Sequence, residues 1–222
     1  MSKKCINRED GKTYVYLIRH AHWNPPKGPH EFNPHHPLSK KGKIQAKVLA
    51  KRFYSMKDNI EVFICSSQGR AVETAEEISK LIKKKPAKYD ELWEINKILW
   101  RREFYTRKYW KHWIKYKKRI STFNKILKEN KGKVILIVAH GNVIKGILRN
   151  KQKLSIKKIK EMDYKNCNIT LLKFKNKKLE KTYLVNAKEP LLIKKECMIK
   201  LSDLQPYLFP HALKVRKDLL HL

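Results

Sequence analysis

Apolar positions along the chain fall into short continuous runs separated by longer amphipathic stretches. Thr13-Tyr14-Val15-Tyr16-Leu17-Ile18 has the β-propensity of a strand and hands over directly to Arg19-His20-Ala21. Residues 22–37 carry enough proline and glycine to forbid regular structure, which predicts a loop beside that strand end. Ser39 stands as the N-cap of a helix that should end near Met56, with Ile44, Val48, Leu49 and Phe53 on its apolar face. Residues 60–65 read as a second strand, leading through Ser66-Ser67-Gln68-Gly69-Arg70 into a helix from Ala71 to about Lys83. A brief strand at 86–89 precedes Asp90-Glu91-Leu92-Trp93-Glu94-Ile95.

Residues 100–120 predict a helix in which Tyr105, Tyr109, Trp113, Tyr116 and Ile120 share one face while arginines and lysines fill the others. A separate helix is expected over 121–130. The unbroken run Val134-Ile135-Leu136-Ile137-Val138 reads as a central strand buried on both faces. It ends at Ala139-His140-Gly141-Asn142, before a helix over 143–149. Two later strands, 166–174 and 181–186, should pair as a hairpin. Alternating strands and helices of this kind predict an α/β fold, a three-layer α/β/α sandwich around a mostly parallel central sheet. One domain over 1–190, with the basic helical insertion at about 97–120, is expected to precede a tail over 191–222.

Composition narrows the picture. A formal net charge of +33, from 53 Lys and Arg against 20 Asp and Glu in 222 residues, favours anionic partners. Most of the excess is lysine spread along the whole chain, which describes a solvated surface better than a specific grip. The exception is the helix over 101–119, whose interleaved aromatics and cations suit nucleic acid or an acidic membrane, or else a cap over the sheet. Cys5, Cys65, Cys167 and Cys197 are too scattered for a zinc site or a disulfide framework. His30, His35 and His36 lack carboxylate or thiolate companions at ligand spacing, so no metal is expected. With no signal or transit pattern before the first strand and no membrane-spanning apolar run, a cytoplasmic protein is expected.

Ligands of open α/β sheets bind outside the carboxyl ends of the strands, and here the first and central strands each place a histidine there. Arg19 accompanies His20, and Arg70 stands at the second strand-to-helix junction. Two imidazoles with two guanidiniums make a poor metal site but a good phosphate site, because arginine binds phosphate oxygens bidentately. The chemistry indicated is phosphoryl transfer.

In this order the motifs resemble the histidine phosphatase superfamily, in its phosphoglycerate-mutase-like branch. The resemblance rests on Arg19-His20-Ala21; Pro37-Leu38-Ser39 with Gly42 and Gln45-Ala46; Ser66-Ser67 with Arg70 and Thr74-Ala75; Leu92-Trp93-Glu94; Val138-Ala139-His140-Gly141; and Asn166-Cys167-Asn168-Ile169-Thr170. It implies that His20 is the nucleophile, that Arg19, Arg70 and His140 hold the phosphoryl oxygens, and that Glu94 protonates the leaving group. Asp90, Glu91 and Glu103 are rival acids. Asn24, after Trp23, and Gly141 match substrate-binding positions, although Asn24 follows His20 at a shorter spacing than in the family. Glu94 continues as Ile95-Asn96-Lys97 and lacks the Arg-His-Tyr-Gly of the mutases, which argues for hydrolysis. The implied activity is a phosphatase acting on a small phosphorylated substrate or a phosphoprotein, without cofactor or metal. Mutase chemistry, or a non-catalytic member binding through its basic helix, are the alternatives.

Overall fold

The computed structural model describes residues 11–25, 36–54, 56–95 and 110–184. Its centre is β1 (Lys12–Arg19) lying parallel to β4 (Val134–Ala139), a strand buried along its whole length. Parallel β2 (Val62–Ser66) and β3 (Ala87–Tyr89) extend the sheet on the β4 side. On the other side β5 (Ile169–Lys175) runs antiparallel to β1 and pairs with β6 (Lys178–Leu184), giving the order β3-β2-β4-β1-β5-β6. The sheet is therefore mixed and mostly parallel, as expected. Asn176 and Lys177 close the expected hairpin, with φ of 48° and 66°, the backbone sense that two-residue hairpin loops require.

Strand alternation divides the core into two layers. Tyr14, Tyr16 and Ile18 of β1 join Val134, Leu136 and Val138 of β4 beneath α1 (Lys40–Tyr54) and α2 (Gly69–Ile82). Val15 and Leu17 join Ile135 and Ile137 beneath α3 (Trp110–Glu129), α4 (Gly141–Gln152) and the short α5 (Ile156–Glu161). Edge-on packing of Tyr16 against Phe53, with ring centroids 5.8 Å apart, anchors the first layer.

Three expectations need correction. Leu49 and Phe53 are buried as expected, but Ile44 and Val48 are 65% and 44% exposed; the buried face of α1 is Gly42, Ala46, Leu49, Ala50 and Phe53. Small residues set this rotation, because a Cβ on Gly42 would lie 1.9 Å from the His22 carbonyl oxygen. Second, the helices expected on either side of Ile120 are one helix from Trp110 onward, with no Gly or Pro to break it and with Tyr116, Ile120, Phe123 and Ile126 continuing a single buried stripe. Third, α5 was not expected; Ser155 caps it by accepting from the Lys158 N–H, but six lysine-rich residues carry little helical signal.

Residues 100–109 with Tyr105 and Tyr109, the loop with His30 and His35, and the expected boundary at 190 with the 191–222 tail lie outside the described residues. No described helix is long and apolar enough to cross a membrane.

Gly42→Ala is expected to destabilise the fold by about 3 kcal/mol, since backbone blocks the added methyl and the helix must shift to admit it. Equilibrium urea unfolding, compared with the exposed Ile44→Ala on the same helix, measures this; equal stability of the two variants would contradict the close approach.

Candidate active site

Register alone brings the two histidines together. Arg19 is paired with Ala139, so the next residues, His20 and His140, leave adjacent parallel strands at the same level. The His20 N–H extends the ladder by donating to the Ala139 carbonyl at 2.9 Å. Their rings lie 5.0 Å apart, and both residues are buried.

Neighbours settle the tautomer of His20. Its Nδ1 faces the Ala21 carbonyl at 2.7 Å, an acceptor only, so Nδ1 carries the proton. Its Nε2 receives the Arg70 Nε–H at 3.1 Å, so this nitrogen holds the lone pair. Burial, and then the Arg70 charge, hold the His20 pKa well below the ordinary imidazole value. The residue is a neutral imidazole with a lone pair at Nε2. His140 is likewise held neutral by burial and by His20 beside it; its Nε2 lies 2.9 Å from Ser66 Oγ, and its buried Nδ1 has no partner among the described residues.

Arg70 enters from the first turn of α2, buried, with its guanidinium over the Trp23 ring at 4.7 Å. Thr74, one turn later, accepts from the Ala21 N–H and donates to the Arg70 carbonyl, lacing α2 to the segment after His20. Arg19 is steered from the opposite side: its backbone pairs with Cys167 and Asn168, and its Nη1 donates to the Tyr164 carbonyl. That return segment requires Cys167 at φ 59°, and Asn166 donates to the His20 carbonyl at 2.8 Å. Arg19 Nε is buried without a partner among the described residues, and a Cβ on Gly141 would lie 3.3 Å from it.

Glu94 is fixed by backbone. One carboxylate oxygen accepts from the Ile95 N–H at 3.0 Å and from the Asn142 N–H at 3.2 Å, the latter in the first turn of α4. Gln68 supplies the link to Arg70: its Oε1 accepts from Arg70 Nη2 at 3.2 Å and from the Glu94 N–H at 3.0 Å. Burial pushes the Glu94 pKa above the ordinary carboxylate range, and this outweighs the pull of the two N–H groups, Arg70 and Arg19.

Arg19, His20, Arg70, Glu94 and Gly141 line one cavity of about 710 Å³, joined by Trp23 and Asn142. His140 is not among the lining residues, but its ring lies 5.0 Å from that of His20, which is. Asn24 is exposed and is not among the lining residues; Trp23 takes the position over Arg70 instead. Of the rival acids, Asp90 accepts from the Ser67 hydroxyl, Glu91 pairs with Lys118 at 3.5 Å, and Glu103 lies outside the described residues. Gln68, Asn142 and Tyr164 were missed by sequence reasoning. Asn142 was findable, being the first-turn residue after a strand-end histidine; the Tyr164 contribution is a backbone carbonyl and leaves no mark in sequence. Arg119, read as part of a basic face, is 8% exposed and donates through Nε to the Trp93 carbonyl at 3.1 Å. Among the described residues no three His, Cys, Asp or Glu side chains gather as a metal site.

The model of the histidine phosphatase superfamily (branch 1) matches residues 15–120 and 111–187. Solved structures share the fold. A phosphoserine phosphatase mutant from Entamoeba histolytica, in complex with phosphoserine, superposes with a TM-score of 0.60 at 20% identity, over 78% of this chain and 95% of that one. A mycobacterial glucosyl-3-phosphoglycerate phosphatase in complex with VO3 gives 0.55 at 16% identity, over 72% and 92%. A phosphoglycerate mutase from Plasmodium falciparum gives 0.53 at 20% identity, over 81% and 92%. No curated protein sequence matches the chain.

Two buried neutral imidazoles make stability pH-dependent in a definite direction. Below about pH 6.5 the unfolded chain protonates both and the native state does not, so stability falls with pH by about 1.4 kcal/mol per unit for each. Glu94 acts oppositely, because its raised native pKa lets the folded state take up a proton first. Urea unfolding between pH 7 and 5 is expected to show a net loss, with a shallower slope in His20→Asn/His140→Asn; an unchanged slope would mean that neither ring is held neutral.

Proposed function

We propose, for a chain that belongs to branch 1 of the histidine phosphatase superfamily, that it hydrolyses small phosphomonoesters through a phosphohistidine on His20. The observation that carries this reading is the locked tautomer: Nδ1–H is tied to Ala21, which leaves the Nε2 lone pair beside the Arg70 donor on the cavity wall. A neutral imidazole is a competent nucleophile, and the surrounding guanidiniums that hold it neutral also stabilise negative charge on the phosphoryl oxygens.

His20 Nε2 attacks phosphorus and the ester P–O bond breaks, while Glu94, whose proton-bearing form is favoured by burial, gives its proton to the leaving oxygen. Glu94, now a carboxylate, takes a proton from water. The resulting hydroxide attacks phosphorus, the P–N bond breaks, and inorganic phosphate departs with His20 regenerated. Arg70 Nε and the unpartnered Arg19 Nε supply donors to the phosphoryl oxygens. His140 Nδ1 is a third donor when its Nε2 accepts from the Ser66 hydroxyl. Gly141 keeps the space beside Arg19 free of a side chain. Hydrolysis is preferred to mutase transfer because Glu94 is followed by Ile95-Asn96-Lys97, without the Arg-His-Tyr-Gly continuation.

The test is direct. His20→Ala is expected to abolish release of phosphate from phosphomonoesters, and wild type should trap an acid-labile phosphoenzyme on rapid quenching. Glu94→Gln should lower kcat by about 10²–10⁴ for alkyl phosphates, and far less for p-nitrophenyl phosphate, whose leaving group needs no proton. Undiminished turnover in His20→Ala would overturn the assignment.

A further inference from the structure

The cavity extends past the groups that the chemistry uses. On α4, Lys145 lies four residues after Gly141 and three after Asn142, so the three share one helix face, and all three line the cavity. The segment from α5 to β5 forms another part of the wall with Lys160, Met162, Asp163 and Tyr164. Arg19 ties that wall to the phosphoryl site through its bond to the Tyr164 carbonyl.

Two cations share this wall: Lys160 is exposed at it, and Lys145 differs from the lysines that cover the rest of the surface. Lys145 is half-buried and close enough to Arg19 to be repelled by it, and burial lowers its ammonium pKa. Neither carboxylate in reach compensates it by contact: Glu94 is engaged by the Ile95 and Asn142 N–H groups, and Asp163 pairs with Lys165 at 3.2 Å. Neither Lys145 nor Lys160 forms an ion pair or hydrogen bond among the described residues. An anion received here would be held about one helical turn, or ~5 Å, from the first turn of α4.

We propose that Lys145 and Lys160 form a second anion subsite, so that preferred substrates are small phosphomonoesters bearing a further carboxylate or phosphate. This rests on the phosphatase reading given above. Gripping the distal anion restricts how the ester lies in the cavity and so orients phosphorus toward His20 Nε2, using remote binding energy for positioning. The cavity volume of about 710 Å³ fits such a small molecule.

The experiment measures kcat/KM for 3-phosphoglycerate and for fructose 1,6-bisphosphate, each divided by that for glycerol 3-phosphate, whose distal end is neutral. Dividing cancels losses common to all esters. At least one ratio is expected to exceed about tenfold in wild type, the scale of a charge-assisted contact; which one it is tells carboxylate from phosphate. Lys145→Met and Lys160→Met, which keep the aliphatic bulk, should each lower that ratio several-fold, and the double variant should bring it near one. A ratio near one in wild type, or one unchanged in the double variant, overturns the subsite. If wild type turns over no phosphomonoester, the phosphatase reading fails instead. Calorimetric affinities of the same three compounds for His20→Ala, with and without the two lysine substitutions, then decide the subsite by the same ratios.

Discussion

The site depends on one register: β1 and β4 pair in parallel so that Arg19 stands opposite Ala139. Slipping that pairing by one residue would invert which side chains face each helical layer, and the alternating apolar sets of both strands forbid it. With the register fixed, His20 and His140 must emerge side by side. Ser66, at the end of β2 on the far side of β4, then falls within 2.9 Å of His140. Three strands buried for reasons of packing thus deliver three polar side chains to one place. None of them is on a loop that could wander.

That convergence is electrostatically costly, and the fold contains the cost by using neutral rings and the desolvated carboxyl of Glu94. Arg70 and Arg119 both lose hydration, and burial lowers their pKa values. Glu94 is the carboxylate that both guanidiniums feel, and it is itself disfavoured as an anion by burial. A site so short of negative charge favours an anion, and on the proposed reading a phosphate supplies the missing counter-charge. Binding and folding are linked in the same sense, so a bound phosphate should also stabilise the native state.

Much of this was legible in sequence where composition and placement agree. The runs at Tyr14–Ile18 and Val134–Val138 could only be buried strands, and strand-end chemistry followed from them. The hairpin was readable, but its turn is tighter than expected: β6 starts at Lys178 and only Asn176 and Lys177 connect the strands. Failures occurred where tertiary contact overrides local pattern. Ile44 and Val48 make a better apolar stripe than Gly42 and Ala46, yet the close passage of the His22 backbone selects the small residues. Gln68 is a generic polar residue until its carbonyl oxygen meets Arg70 and the Glu94 N–H together. Asn24 looked like part of the site because of its neighbour in sequence, but the extended chain at Trp23 turns one residue toward the cavity and leaves the next exposed.

Arg119 shows what a charge count leaves out of this chain. Within the helix from Trp110 it is one of many cations, and a basic aromatic helix invites an external polyanion as partner. Yet this arginine points inward and holds the Trp93 carbonyl, the residue immediately before Glu94, while Nη1 closes on the Lys115 carbonyl of its own helix. Tyr116 and Ile120 bury on either side of it. The helix is therefore a strut behind the segment that carries Glu94, with its exposed lysines on the outer face. A shift of α3 along its axis would pull on the Trp93–Glu94 backbone before it altered any surface charge. Position of the Glu94 backbone is what the inner face of this helix helps to determine.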